Sequence, residues 1–517
     1  MTRPRSIRGL LTTSVAAALV LVLAACGSNL NPDDVRATNG GLVAADGSAV
    51  DGSGAPIEGD VAGDDSSGVD LGGDSSGTDT SGSGCDTSSG TSGGGTTTSG
   101  GDTGGGDTGG GDTGGGDTGD DSGDDGGGDT GGGDVGSCDG FKNGPGITDS
   151  TITIGNSSDI SGPVPGLFAT AQDAMKAYVT YYNKANPDGI CGRSLVLKTY
   201  DSRTDASADQ QAYAAGCTDV FAMIGSVSAF DLGGAKTAQN CGLPDLRGGS
   251  VTYERNACTT CFGVQAVNTK SFENAVPDFV KQQVGAASAQ KAAYFYTNAG
   301  AAAQNAKAQV NAMEKRGMKF PVVQGIDTAE FNYSTYVQQM KDNDIDVFFF
   351  TTSYQFSVRM RQAMQQQGYT PKLYLRDPTD YNPDFVQQGG SAVDGTVVYT
   401  NFTPFEEAAS NPEMATYVGS LNAVNPSANP EFFGVFSWSA GRLFTDLATK
   451  LGGKLTRASL LAEVKKVNDW TGHGMHAPQP VGSKGTGECW RFIQLSGGTW
   501  KPVGGTKYAC NGLSTTN

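Results

Sequence analysis

After residue 147, short apolar runs alternate with longer stretches in which apolar residues recur roughly every three to four positions. Thr151-Ile152-Thr153-Ile154-Gly155 predicts a short strand, and Leu167 to Asn186 predicts a helix with Ala171, Ala174, Met175, Tyr178 and Tyr182 on one face. Leu195 to Leu197 predicts a second strand, Ala206 to Gly216 a helix, and Val220 to Ile224 a third strand. Further on, Ala292 to Tyr296 precedes a helix with a stripe of Ala302, Ala306, Val310 and Met313. Val347 to Phe350 precedes one that groups Phe356, Met360, Ala363 and Met364. Alternation of this kind predicts an α/β fold of parallel sheets flanked by helices, because such apolar strands must be covered on both faces. Ligands in these folds collect at the C-terminal ends of the strands.

The N-terminal pattern is different. Arg3, Arg5 and Arg8 precede an uncharged apolar run from Leu10 to Ala25, too short to persist as a membrane span and ending in small residues, so 1–25 reads as a secretory signal. The run closes on Leu23-Ala24-Ala25-Cys26 followed by Gly27-Ser28, which is similar to a bacterial lipoprotein cleavage box. That resemblance implies that Cys26 becomes the new N-terminus and carries the acyl chains, anchoring the chain to the outer face of the cell membrane. Residues 26–137 are dominated by Gly, Asp, Ser and Thr, with Gly-Gly-Gly-Asp-Thr recurring from about Gly104. Without an aromatic residue the segment cannot offset its chain entropy, and it reads as a disordered tether with an r.m.s. span of roughly 55 to 60 Å. A calcium-binding β-helix is disfavoured, since each of its repeats needs a large apolar residue.

Charge sharpens this division. The chain carries a net −19, yet 22 Asp or Glu against one Arg fall between Gly27 and Ser137, leaving 31 basic and 32 acidic residues from Cys138 onward. The globular part, 138–517, is therefore nearly neutral and offers no electrostatic footprint for nucleic acid.

The order of motifs in that part resembles the type I periplasmic binding proteins of the branched-chain amino acid receptor family, the solute receptors of ABC importers. Ile152-Thr153-Ile154-Gly155 comes first, then Ser161-Gly162-Pro163-Val164, Gly189-Ile190-Cys191-Gly192-Arg193, Tyr200-Asp201-Ser202 and Met223 to Ser228. The stretch Gly325 to Asp346, ending in Asn-Asp-Ile-Asp before a strand, is also similar. The resemblance implies two Rossmann-like lobes joined by a three-segment hinge, with lobe 1 at about 147–270 and 402–465 and lobe 2 at about 271–401 and 466–510. It further implies a small-molecule solute, ABC permease subunits as partners, a monomer, no cofactor and no catalysis.

By the same resemblance the ligand contacts are Ser228, Gly249, Ser250, Val251, Tyr354, Asp377 at the position of an ammonium-gripping acid, and Phe168 near an aromatic lid. Val251 and Ala301 depart from the pattern, standing where amino acid receptors carry Thr and an aromatic residue, so the expected carboxylate clamp is incomplete. Each residue also has a plain structural reading: Ser228 as a helix cap, Tyr354 as core, Asp377 before Pro378 as a turn.

Eight of the ten cysteines lie in 138–517, and an exported chain with an even number implies disulfides. If the helices run antiparallel to the strands, Cys217 and Cys241 both fall at the bottom of the sheet, with Cys138 and Cys191 near the same end. Cys258 and Cys261 can close a small loop, and Cys489 with Cys510 can staple the last strands. No zinc-type pair of pairs is present, and no metal site is expected. Among catalytic readings, Ser437-Trp438-Ser439-Ala440-Gly441 is one glycine short of a nucleophile elbow and falls inside a helix of about 431–451. His473 and His476 are the only histidines; they sit in a Gly- and Pro-rich stretch, without a nearby acidic ligand for a metal, that reads as a solvent loop. There is no phosphate-binding Gly-x-x-x-x-Gly-Lys-Ser/Thr loop. The leading expectation is an extracytoplasmic solute-binding lipoprotein. The alternatives are a binding-only sensor with the same fold and, more distantly, a surface hydrolase acting through Ser439.

Overall fold

The computed structural model describes residues 135–267 and 270–516, together with a short antiparallel pairing of Leu42–Val43 with Ala49–Val50. The expected signal, the acylated Cys26, Cys85 and, that pairing aside, the tether up to residue 134 lie outside the described residues. Residues 136 and 137, counted above with the tether, are bonded into the domain: Gly136 N–H donates to the Thr449 carbonyl (3.1 Å) and Gly453 N–H to the Ser137 carbonyl (2.8 Å).

Five strands, β1 (Thr151–Ser158), β2 (Ser194–Asp201), β3 (Ala222–Ile224), β4 (Asp245–Ser250) and β5 (Cys261–Ala266), form an all-parallel sheet in the order β2-β1-β3-β4-β5. They are connected through α1 (Ala169–Ala185), α2 (Ala206–Asp219), α3 (Leu232–Asn240) and α4 (Tyr253–Ala257). The periodic face read from the sequence is the buried face of α1, with Ala171, Ala174, Met175, Tyr178 and Tyr182 all inside. Asp205 starts α2 by accepting the Ala208 N–H, and Thr252 starts α4 by accepting that of Arg255.

The chain then crosses to a second sheet. On the way lies β6 (Ser271–Glu273), which stands outside that sheet and pairs antiparallel with Leu513–Thr515; it is followed by α5 (Ala275–Ala289), β7 (Ala292–Thr297), α6 (Ala302–Lys315), β8 (Val322–Ile326), α7 (Ser334–Asp342), β9 (Val347–Thr351), α8 (Tyr354–Gln366), β10 (Leu373–Arg376), α9 (Pro383–Gly389) and β11 (Val397–Thr400). It returns for α10 (Pro412–Val424), α11 (Phe432–Leu451) and α12 (Arg457–Val464), which cover the first sheet. A third crossing leads to β12 (Cys489–Ser496), β13 (Thr499–Val503), β14 (Ala509–Cys510) and β15 (Leu513–Thr515). The second sheet runs β8-β7-β9-β10-β11-β12-β13, parallel as far as β11 and antiparallel beyond it. It is therefore mixed, because β12 to β13 is a hairpin and a tight connection can join only antiparallel neighbours.

The three crossings are tied together. Asn401 Nδ2 donates to Gln265 Oε1 (2.8 Å), and Thr486 Oγ1 to the Ser271 carbonyl (3.0 Å). Disulfides join Cys138 to Cys191, Cys217 to Cys241, Cys258 to Cys261 and Cys489 to Cys510. Residues 467–481 do not form a solvent loop. Met475, His476 and Val481 are buried, and Met475 and Val481 share a core with α11 residues such as Phe436 and Trp438. Among the described residues no helix is long and apolar enough to cross a membrane.

Candidate functional site

Where the C-terminal ends of the two sets of strands face each other, a cavity of about 210 Å³ opens. Leu167, Phe168, Val251 and Phe433 line it from the first lobe, and Phe272, Phe356 and Trp490 from the second. One water needs about 10 to 15 Å³ on the same measure, so the space holds on the order of fifteen. Leucine, with about nine non-hydrogen atoms, would leave much of it empty.

The lobes touch across this cavity. Ala301 N–H, at the start of α6, donates to the Ala229 carbonyl beyond β3 (3.1 Å). The preceding Gly300 has φ +54, and a Cβ there would come within 2.8 Å of the same oxygen, so glycine permits the approach. Asn382 Nδ2 donates to Glu431 Oε1 (2.5 Å), whose other oxygen accepts from Thr170 Oγ1 (3.2 Å), making a second bridge between lobes.

The structure brings Phe168, Val251 and Asp377 together on the cavity wall. Phe168 meets Phe433 edge-on with centroids 4.4 Å apart. Asp377 Oδ1 accepts from the Thr379 N–H (3.0 Å), and its Oδ2 lies 3.5 Å from Arg376 Nη1. Tyr354 faces a smaller adjoining pocket with Glu431 and Asn382, and its hydroxyl donates to Asp384 Oδ2 (3.4 Å). Ser228, Gly249 and Ser250 are buried but are not among the residues lining the cavity. Ser228 Oγ donates to Asp159 Oδ1 (3.1 Å), and Ala229 N–H to Asp159 Oδ2 (2.8 Å). The Val251 and Thr252 N–H groups likewise donate to the buried Asp231 carboxylate (2.9 and 3.1 Å). Of the donors expected to face a ligand, Ser228 Oγ and the Val251 N–H are thus taken by internal acids, while the buried Ser250 Oγ has no hydrogen-bond partner among the described residues. Burial pushes the Asp159 carboxyl up, while these same hydrogen bonds pull it back towards the charged form.

Sequence reasoning missed Glu273, Asn305 and Tyr399, which line the same cavity. Glu273 is 2% exposed, and burial pushes its carboxyl up to about 8. Asn305 Oδ1 is buried without a hydrogen-bond partner. Asn305 is adjacent to the apolar stripe of α6, a weak signal in hindsight. Glu273 ends a three-residue strand, which leaves no periodicity to read.

The hydrolase constellation assembles only in part. Ser439 Oγ and His476 Nε2 are 2.7 Å apart, and Trp470 Nε1 donates to the same hydroxyl (2.8 Å). His476 Nδ1 faces the Ala477 carbonyl (2.9 Å) and must carry the ring proton, so Ser439 donates to Nε2. Both side chains are buried, away from either cavity, and burial pushes the imidazole down to about 4. His473 does have an acidic neighbour, Asp446, at 2.7 Å, one supplied by the fold from 27 residues away. No cluster of three potential metal ligands occurs among the described residues.

A profile described as periplasmic binding protein matches residues 151–499. No curated protein matches the sequence significantly. Among solved structures, a fatty acid ABC transporter substrate-binding protein from Thermomonospora curvata is 17% identical over 72% of this chain and 95% of its own, with a TM-score of 0.58. The branched-chain amino acid transporter substrate-binding protein LivJ from Streptococcus pneumoniae, in complex with isoleucine, is 15% identical over 70% and 99%, with a TM-score of 0.57. A Rhodopseudomonas palustris solute-binding protein in complex with 4-hydroxybenzoate is 15% identical over 70% and 98%, with a TM-score of 0.58.

Proposed function

Given that the chain belongs to the periplasmic binding protein family and has its type I fold, we propose that it is an extracytoplasmic receptor that captures a small amphipathic solute and delivers it to an ABC importer. The observation that carries this reading is the apolar cavity between the lobes, closed over by the Ala301 to Ala229 hydrogen bond. Closure that depends on a guest is the property an importer's membrane subunits can sense. Phe168, Val251 and Asp377 act as wall contacts, and Ser228 acts through the loop it holds by its bond to Asp159. The protein works without catalysis, anchored through acylated Cys26, with residues 26–137 as a spacer. The composition of 26–137 and the cleavage-box motif support this part.

The test is a thermal-shift screen of the purified full chain against amino acids, amides, amines, aromatic acids and short peptides. Binding raises the melting temperature by mass action, by about 2.7 kcal/mol of added stability at a hundred times Kd. At least one class should do so; a flat response from a chain that melts cooperatively would sink the receptor reading.

A further inference from the structure

The chemistry of the cavity wall is one-sided. Among its described lining residues there is no Lys, Arg or His, while two carboxyl groups, Glu273 and Asp377, are present. Asn305 Oδ1 adds an acceptor, 7% exposed as a residue and unpartnered. The Ser228 hydroxyl and the Ala229, Val251 and Thr252 N–H groups, beyond β3 and β4, are spent on Asp159 and Asp231. Glu273 is the sharpest case. Among the described residues its carboxyl is met only by its own backbone N–H, and no cation pairs with it. The titratable groups that face it are Tyr294 on β7 and Tyr399 on β11, and the carboxylate of Asp377 acts on the same two hydroxyls. The nearby cations have partners of their own: Arg376 lies between Asp380 (2.7 Å) and Asp377 (3.5 Å), Arg316 pairs with Asp278 (2.7 Å), and Lys315 donates to the Thr515 carbonyl (3.0 Å). A buried carboxyl that shares a cavity with an unpartnered buried acceptor is a costly arrangement unless a donor arrives to meet them.

We propose that the cleft selects an amphipathic amine, an apolar body of about ten to fifteen non-hydrogen atoms bearing a protonated basic nitrogen and no carboxylate, gripped by Glu273, Asp377 and Asn305. This rests on the receptor reading and narrows it to a ligand class. When the ammonium seats, Glu273 ionises and its proton leaves to solvent, so the ion pair forms inside the cleft while its net charge stays balanced.

The experiment is titration calorimetry of the full chain at pH 6.5 with three probes of one shape: 4-phenylbutylamine, 4-phenylbutanol and 4-phenylbutyrate, with leucine as a fourth. The amine is expected to bind at least about tenfold more tightly than the alcohol, and the acid and leucine not at all. Repeating the amine titration in buffers of different ionisation enthalpy should show about one proton released per amine bound. Glu273→Gln, which keeps the shape of the neutral acid, should abolish that release and weaken the amine about ten- to a hundredfold. If that variant fails to melt cooperatively, proton release by the natural chain still decides. Binding of the acid or leucine as tightly as the amine, equal binding of alcohol and amine, or amine binding without proton release would overturn the inference and leave the receptor intact. Silence from these probes and from the broader thermal-shift screen would remove both.

Discussion

At Ser439 a motif that looks like chemistry is a packing device. Its hydroxyl satisfies His476 Nε2 and the Trp470 N–H at once, inside the buried face of α11. Ser439→Ala should therefore cost about 1 to 3 kcal/mol of stability by leaving two buried polar groups unmet, measured as a lower urea midpoint, and the natural chain should turn over no ester. Phe168 is the opposite case, a residue whose loss is felt by the guest. Phe168→Ala removes the edge contact with Phe433 and part of the cavity wall, and should weaken solute binding about tenfold in calorimetry with little change in fold.

At the scale of elements, the first lobe depends on a charged knot beneath its sheet. Arg255 on α4 reaches Asp209 on α2 (2.7 Å) and Asp245 on β4 (2.9 Å), all with side chains fully buried. Removing one member strands the others without water, so Arg255→Met is expected to destabilise by about 3 to 5 kcal/mol in denaturant unfolding. The exposed pair Lys198 to Asp219, although 2.5 Å apart, is screened, and Lys198→Ala should leave the denaturant midpoint almost unchanged. Distance alone does not rank the two pairs; access to solvent does.

Across the whole molecule, the bridge from Asn382 to Glu431 makes lobe closure depend on pH. Burial pushes the Glu431 carboxyl up to about 7 from an ordinary 4.5, with Asp384 adding to the rise. Closed, the group keeps its proton up to that pH; opened to water, it ionises at a lower one. The closed state is thus fully favoured below about 4.5, and loses up to about 3 kcal/mol relative to the open state as pH rises to about 7. Small-angle scattering of the ligand-free full chain should show the radius of gyration rising over that interval, whereas Glu431→Gln should remain flat. An identical rise in the variant would place the switch elsewhere.

Much of this architecture is written locally. The 3.6-residue stripes of α1 and α6 and the continuous apolar runs of β7 and β9 announce themselves because burying one face or two imposes a period, and a period survives without knowledge of neighbours. The cleft is different. Ser228 and the Val251 N–H look like ligand donors until the fold sets Asp159 and Asp231, 69 and 20 residues away along the chain, against them. Glu273 looks like a surface acid until the second lobe closes around it. Segment type and order thus follow from the sequence alone, whereas which polar groups stay unspent at the cavity is decided only in the tertiary structure. Hydrogen bonds are settled pair by pair among residues far apart along the chain, and only folding names the partners.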